Sequence, residues 1–290
     1  MPRQRPRVFV ARAEQDVIGF VDLQPVPPDQ RWHLTAIGTS PSAHHAAAME
    51  ALLRYGVMAA GGQGVKRLYA RLRPESVVYE IARSLGFSPY AEEIVFAARP
   101  SSFRPAPTTT RPQEQSDTWA IHQLYNATVP REVQYAEAFT SHFWDVNARR
   151  AIAPAAVHGR VIEDGHRLAG YVRVASHAGT HVIELVASPD HHDVVGSLLD
   201  GALADIGRRH VKRVYCAVRT YQQHLWQPLE DRGFTAMWTQ QLQVKYTTVT
   251  ARAPATDPVL LHADVRERVP KRVPTFLQSH EQDESARPSR

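Results

Sequence analysis

The sequence predicts an α/β protein made of one unit used twice, with mixed central sheets and a truncated first copy. Three observations carry this reading. The run Val65 to Arg73 (VKRLYARLR) returns as Val211 to Arg219 (VKRVYCAVR). Each run is followed by a helical segment that ends in Gly-Phe, at Gly86-Phe87 and Gly233-Phe234. Apolar stripes with helical spacing precede both runs: Met49, Leu52, Leu53, Val57 and Ala60 in the first, and Val195, Leu198, Leu199, Ala202, Leu203 and Ile206 in the second. Residues three and four apart share a helix face, so each stripe is expected to pack on a sheet.

The elements follow in order. Val17 to Val21 matches Leu168 to Val172 as a turn feeding a strand, and the short apolar strands Leu34 to Ile37 and Val182 to Ala187 are closed by Pro41 and Pro189. The striped helices come next, then the VKR strands, a second helix, and a glycine able to leave that helix in the left-handed region. The phenylalanine then opens a core strand. Each unit reads strand, strand, strand, helix, strand, helix, strand, with room for one more strand. Early strands form antiparallel hairpins, and a strand entered through a long helix pairs in parallel. Lys66 and Lys212 are 146 residues apart, whereas Pro41 and Pro189 are 148 apart, so the second copy has lost two residues in the turn between strand and helix.

Before its hairpins the second copy has an extra preamble. A helix is expected over Ser116 to Tyr125, with Trp119, Ile121 or His122, and Tyr125 at helical spacings. Another is expected over Val133 to Phe143, with Tyr135, Phe139 and Phe143 on one face. The first copy has no room for these helices, so its sheet must lack an edge or borrow cover. The resulting division is residues 1–100, 101–250 and a tail, 251–290, with little core of its own. In that tail Val259, Leu260 and Leu261 are candidates for an edge strand.

Composition bounds the function. The 290 residues, 43% hydrophobic and 22% charged, are those of a globular protein. No run approaches the length of a membrane span, and the start MPRQRPRVFV has no secretion-signal stretch, so a cytoplasmic location is expected. The single cysteine, Cys216, excludes an intramolecular disulfide and reads as a buried strand residue. A net charge of +5 favours acidic small molecules slightly, but scattered basic residues argue against nucleic acid.

The order of elements and its duplication resemble the GCN5-related N-acetyltransferase (GNAT) family in a tandem form. Phe103 to Ala106 and the helix around Trp119 look like that family's first strand and helix. The Gly170-Tyr171 hairpin, the strand end Val186 to Pro189, the long helix, the Val211 strand and Gly233-Phe234 follow in the family's order. The resemblance implies two GNAT-like, acyl-CoA N-acyltransferase domains and acetyl-CoA as cofactor, bound where two parallel strands splay apart. It also implies a glycine-rich turn that wraps the pyrophosphate with backbone N–H groups. Here both signature turns are degenerate. PSAHHAAAMEALL places His44 and His45 at the arginine and its neighbouring glycine, and Ala47 and Met49 at the glycine positions, while PDHHDVVGSLL keeps only Gly196. Asp193 would repel phosphate unless it pointed away.

On this resemblance the second copy is the place for chemistry. Val186, Ser188, His192, Asp193, Val194, Val195 and Gly196 are the candidate cofactor-binding residues, and Glu184, on the strand leading to Pro189, is the candidate general base. The first copy has Ala36 at the matching position. The family's tyrosine proton donor falls at Ala82 and Leu229, neither of which can donate, although Tyr79, Tyr221 and His224 are near in sequence. The His-His pairs read as helix-start residues or as phosphate-facing groups at His191 or His192. A metal site would need His177 and His181 folded over from a loop. If active, the protein acetylates a small-molecule or peptide amine; otherwise it is an inactive scaffold or ligand-binding protein, in which Trp226, Leu229 or the tail fills the cleft. Side-by-side packing of the copies and an obligate homodimer are both compatible with the sequence.

Overall fold

In the computed structural model the strands of both copies join one continuous sheet. The structure describes residues 7–26, 30–41, 45–99, 109–146, 156–207, 209 and 211–247. By contacts the chain divides into Met1–Val249 and Thr250–Arg290, and every described element belongs to the first of these. The expectations for Phe103 to Ala106, for His44 and for the tail lie outside the described residues.

The first unit runs β1 (Arg7–Ala13), β2 (Asp16–Val26), β3 (Arg31–Thr39), α1 (His45–Gly62), β4 (Arg67–Leu72), α2 (Val77–Ser84) and β5 (Ser88–Ala98). The second runs β6 (Arg111–Pro112), α3 (Thr118–Thr128), α4 (Arg131–Glu137), β7 (Ala156–Asp164), β8 (Arg167–His177), β9 (Thr180–Ala187), α5 (His192–Gly207), β10 (Arg213–Arg219), α6 (Trp226–Glu230) and β11 (Thr235–Tyr246). Within each unit the hairpins are antiparallel, and β3–β4 and β9–β10 pair in parallel across the helices α1 and α5, as their long crossovers require. The α1 stripe buries Leu52, Leu53 and Ala60, and the α5 stripe is buried throughout. Gly86 and Gly233 leave their helices at φ 80° and 78°, and the buried Phe87 and Phe234 return hydrogen bonds to the carbonyls of Ala82 and Leu229.

The strand order is β1-β2-β3-β4-β11-β5-β10-β9-β8-β7-β6. Each unit's last strand therefore lies inside the other unit's sheet: β11 is flanked by β4 and β5, and β5 by β11 and β10, all antiparallel. The room left for one more strand is filled by exchange. Both strands are long, 11 and 12 residues, and each satisfies two ladders of backbone groups.

The first unit borrows its cover from the preamble of the second. Tyr69 on β4 donates to the carbonyl of Ala136 at 2.7 Å, and Arg31 on β3 donates to that of Glu137 at 3.1 Å, both at the end of α4. The single helix expected over Val133 to Phe143 is corrected here. Ala138 takes φ 44°, ends α4 and turns the chain into a short 3-10 segment, Ser141–Trp144. Phe139 and Phe143 then stack on each other at 3.7 Å, while Tyr135 is left 71% exposed. Trp119 also misses the core, which takes Ile121, Leu124 and Tyr125 from α3.

Candidate functional site

Both pairs of parallel strands splay. The β9–β10 ladder ends at Ile183 and Cys216, and the β3–β4 ladder ends at His33 and Tyr69. Beyond those points β9 and β3 continue paired only to β8 and β2. The two splits differ in what lies against them.

In the second unit Glu184 and Val186 share the sheet face that carries α3 and α4. Glu184 stands opposite Arg173 in the β8–β9 register and accepts hydrogen bonds from its guanidinium, at 3.2 Å from Nε and at shorter range from Nη2. Arg173 is buried and lies over the rings of Phe143 and Trp144, at 4.9 and 5.5 Å. The candidate base is thus held in an ion pair. Val186 packs in a cluster with Ile121, Tyr125, Trp144 and Tyr171, and Tyr221 lies against the same cluster. On the opposite face Leu225 and Leu229 are fully buried beneath α5, with Trp226 partly buried beside them.

The second turn is equally occupied. The N–H of Ser188 donates to Ala169, that of His191 to Ser188 and that of Val194 to His191. His191 Nε2 sits 2.8 Å from Asp164. Val194 and Val195 turn their side chains into the core, and Asp193 is exposed in the first turn of α5. Of His192 only the helical backbone is described. Gly196 faces Arg232: a Cβ there would lie 2.9 Å from its Nη2. Arg232 is gripped by both carboxylate oxygens of Asp200 at 2.7 Å. The glycine retained from the expected turn therefore admits a side chain of this protein.

The first unit is more open. Past the split, Leu34 to Thr39 are all half-buried or exposed, Ala36 among the exposed ones. A cavity of about 450 Å³ is lined by Gly38, Thr39, Ser40, Pro41, His45 and Met49 where β3 ends and α1 begins. The first turn of α1 carries no acidic residue. The positive dipole end of an 18-residue helix attracts anions, and no carboxylate of its first turn opposes them. These residues suit the phosphates of a nucleotide cofactor better than those of the second turn, where Asp193 and the Asp200-bound Arg232 intervene.

A polar knot unforeseen from sequence ties the units together beneath α4. Glu93 on β5 takes Arg71 at 3.1 Å and Arg219 at 3.0 Å, and Arg219 also reaches Glu137 at 2.9 Å. Gln240 adds a hydrogen bond to Glu93, and Tyr125 one to Glu137. Burial opposes ionisation of Glu93, but Arg71, Arg219 and Gln240 outweigh it and hold the carboxyl below its ordinary range. Tyr221 is raised, chiefly by burial, and Leu229 and Ala82 are buried, so no acidic phenol stands at the expected donor position. Tyr79 donates its hydroxyl to Gln241, across the exchanged strand. The sequence signal for the knot was a pair of acids, Glu92-Glu93, inside an apolar strand.

The remaining candidates disperse. His181 is buried and bonded to Ser176 in its own hairpin, and among the described residues no group of three or more His, Cys, Asp or Glu is placed to hold a metal ion. Cys216 lies in the core, where burial pushes its thiol up. Among the described residues no helix is long and apolar enough to cross a membrane.

Residues 2–87 match the family model described as acetyltransferase (GNAT) family. No curated protein matches the chain. Among solved structures, a tandem GNAT protein from the clavulanic acid biosynthesis pathway is similar at 16% identity, over 84% of this chain and 83% of that one, with a TM-score of 0.53. A GCN5-related N-acetyltransferase from Sphaerobacter thermophilus is similar at 12% identity, over 81% and 78%, with a TM-score of 0.53. A functionally unknown conserved protein from Staphylococcus epidermidis ATCC 12228 is similar at 14% identity, over 82% and 94%, also at 0.53. At these identities the likeness is one of fold.

Proposed function

From a chain that carries the GNAT fold in tandem, we propose an acetyl-CoA-dependent N-acetyltransferase that holds its cofactor in the first unit and uses the second as a buttress. The cavity at the end of β3 carries this reading. The backbone of Gly38 to Pro41 and the start of α1 would hold the phosphates, with His45 beside them and Met49 as an apolar wall. Acetyl-CoA, when bound, supplies a thioester acyl group to an acceptor amine. The chain's own part is to exclude water along the split between β3 and β4 and to orient the amine. Glu184 would then be a structural partner of Arg173, not the base.

Calorimetric titration with acetyl-CoA tests the proposal. Saturable heat at micromolar cofactor is expected, weakened about tenfold by His45→Glu, which sets a carboxylate at the helix start and costs about 1.4 kcal/mol. No saturable heat up to high micromolar cofactor would sink the acetyl-CoA reading. A change in affinity on Asp193→Arg, or loss of turnover on Glu184→Ala, would move the chemistry to the second unit. A catalytically inactive scaffold is the second reading, favoured by the filled split beneath Val186.

A further inference from the structure

Pseudo-symmetry between the units shows what the open face of the first one lacks. In the second unit, Tyr171 on β8 is capped edge-on by Trp144 at 5.8 Å, and two residues along the same face Arg173 neutralises Glu184. The preamble thus supplies an aromatic cap, and the β8–β9 pair supplies its own cation and anion.

At the corresponding places β2 carries Phe20 and Asp22, because Asp22 pairs with Ala36 as Arg173 pairs with Glu184. Arg31 and Tyr69 take the contacts of α4 and the 3-10 segment with β3 and β4. Phe20 is 42% exposed, and its cross-strand neighbours across β1, Val10 opposite Phe20 and Val8 opposite Asp22, are 48% and 58% exposed. These residues form an apolar shelf on the sheet face away from α1, where Val21 and Leu23 are buried.

At one end of the shelf Asp22 has no ion-pair partner among the described residues. Its Oδ2 accepts from Thr35 Oγ1 at 2.8 Å and from Gln24 Nε2 at 3.1 Å. Its Oδ1 and the Oε1 of Gln24 are shielded from water without a donor. A buried acceptor without a donor costs stability, and a charged donor that displaces what covers it recovers the most, above all at a carboxylate. At the other end the Phe20 ring lies against Gly38: a Cβ on that glycine would be 3.3 Å from its Cε1. Gly38 also lines the cavity at the start of α1, so one residue of β3 borders both the shelf and the cavity.

We propose that Asp22 and Gln24, with the shelf of Val8, Val10 and Phe20, bind a primary ammonium group carried on an apolar or aromatic body. The ligand takes the place filled in the second unit by Arg173 and Trp144. This deepens the reading of the first unit as the ligand-binding copy, on which it rests, and names the class of its acceptor.

The test uses the full chain without any acyl-CoA. Titration with 2-phenylethylamine, followed by calorimetry, is expected to give saturable binding, while phenylacetate, of the same body and opposite charge, gives none. Asp22→Asn, which keeps the shape and the Thr35 contact, is expected to weaken the amine at least tenfold. Phe20→Ala is expected to weaken 2-phenylethylamine more than methylamine. A peptide with N-terminal phenylalanine separates the sources: binding comparable to 2-phenylethylamine assigns the site to peptide N-termini, and weaker binding to small amines. Equal binding of phenylacetate, or an unaltered amine affinity in Asp22→Asn with a wild-type unfolding midpoint, overturns the proposal. Heat with acetyl-CoA but none with the amine removes this inference alone; heat with the amine but none with acetyl-CoA removes the cofactor reading alone.

Discussion

Arg219 lies between two buried carboxylates, Glu93 and Glu137, that come from different units, and its removal leaves both without their shared partner. Breaking a buried ion pair from one side costs about 3–5 kcal/mol, so Arg219→Met is expected to lower the urea midpoint by a corresponding amount. Glu93 also makes stability depend on pH. Its folded-state value lies below the ordinary carboxylate range, so its contribution is full above an unfolded value of about 4.3 and is lost as pH falls through the folded value. Glu93→Gln is therefore expected to flatten the acid limb of a stability–pH curve below about pH 4.3; an unchanged limb would show that Glu93 is not its source. Cys216 and the two helix-exit glycines were legible in sequence, because strand alternation and a left-handed exit are local properties. The partners of Glu93 were not legible, because they lie on β10 and β11, which flank its strand only when the sheet is complete, and on β4, one strand further away.

At the scale of elements, the duplication is written into one repeated contact. Gly19 on β2 and Gly170 on β8 each face the same leucine of the following long helix. A Cβ on Gly19 would lie 3.0 Å from Leu52 Cδ1, and one on Gly170 2.5 Å from Leu198 Cδ1. At Gly170 helix and sheet approach too closely for a methyl group, and at Gly19 a methyl group would also meet Thr39 Cγ2 at 2.8 Å and the carbonyl oxygen of Gly38 at 2.9 Å on the neighbouring strand. Gly170→Ala is expected to cost about 1–3 kcal/mol by overpacking, read as a lower unfolding midpoint, and Gly19→Ala to fall in the same range. The long helices and their stripes were readable from spacing. The break in the preamble helix was not, since Ala138 has no intrinsic liking for a left-handed conformation. Tertiary contacts impose it, among them the bonds from Tyr69 and Arg31 to the carbonyls at the end of α4. Ala138→Gly is expected to leave the fold intact and raise stability by up to about 1 kcal/mol, measured by thermal unfolding.

For the whole molecule, the exchange of β5 and β11 means that neither repeat owns a complete sheet. A division near residue 100 separates the repeats in sequence, but it would strip β5 from between β11 and β10 and leave two ladders of open backbone groups. Residues 1–99 and 101–290 made separately are expected not to give folded monomers. Made together, they are expected to recover the far-ultraviolet dichroism and cooperative unfolding of the intact chain. The intact chain is expected to unfold in one transition, with Trp32 of the first unit and Trp144 of the second reporting the same midpoint in single-tryptophan variants. Two separated transitions would contradict the shared sheet.

Local and periodic features follow from the sequence alone: the order of the elements within each repeat, the core face of each long helix, the glycine exits, and the duplication. Those depend on spacing along a helix or strand and on the allowed conformations of single residues. Which strands are neighbours, and with that which unit has an open split, emerged only once the chain was folded. Glu184 looked free to act on a strand end, yet Arg173 occupies it. Gly196 looked like the remnant of a phosphate turn, yet Arg232 fills the space beside it. Asp22 carried no signal at all, since an acid at that position acquires meaning only once Ala36, Phe20 and Val8 are placed around it and no basic residue among those described pairs with it. Pairing across 11 strands brings together residues far apart in the chain, and no periodicity in a single sequence records that choice.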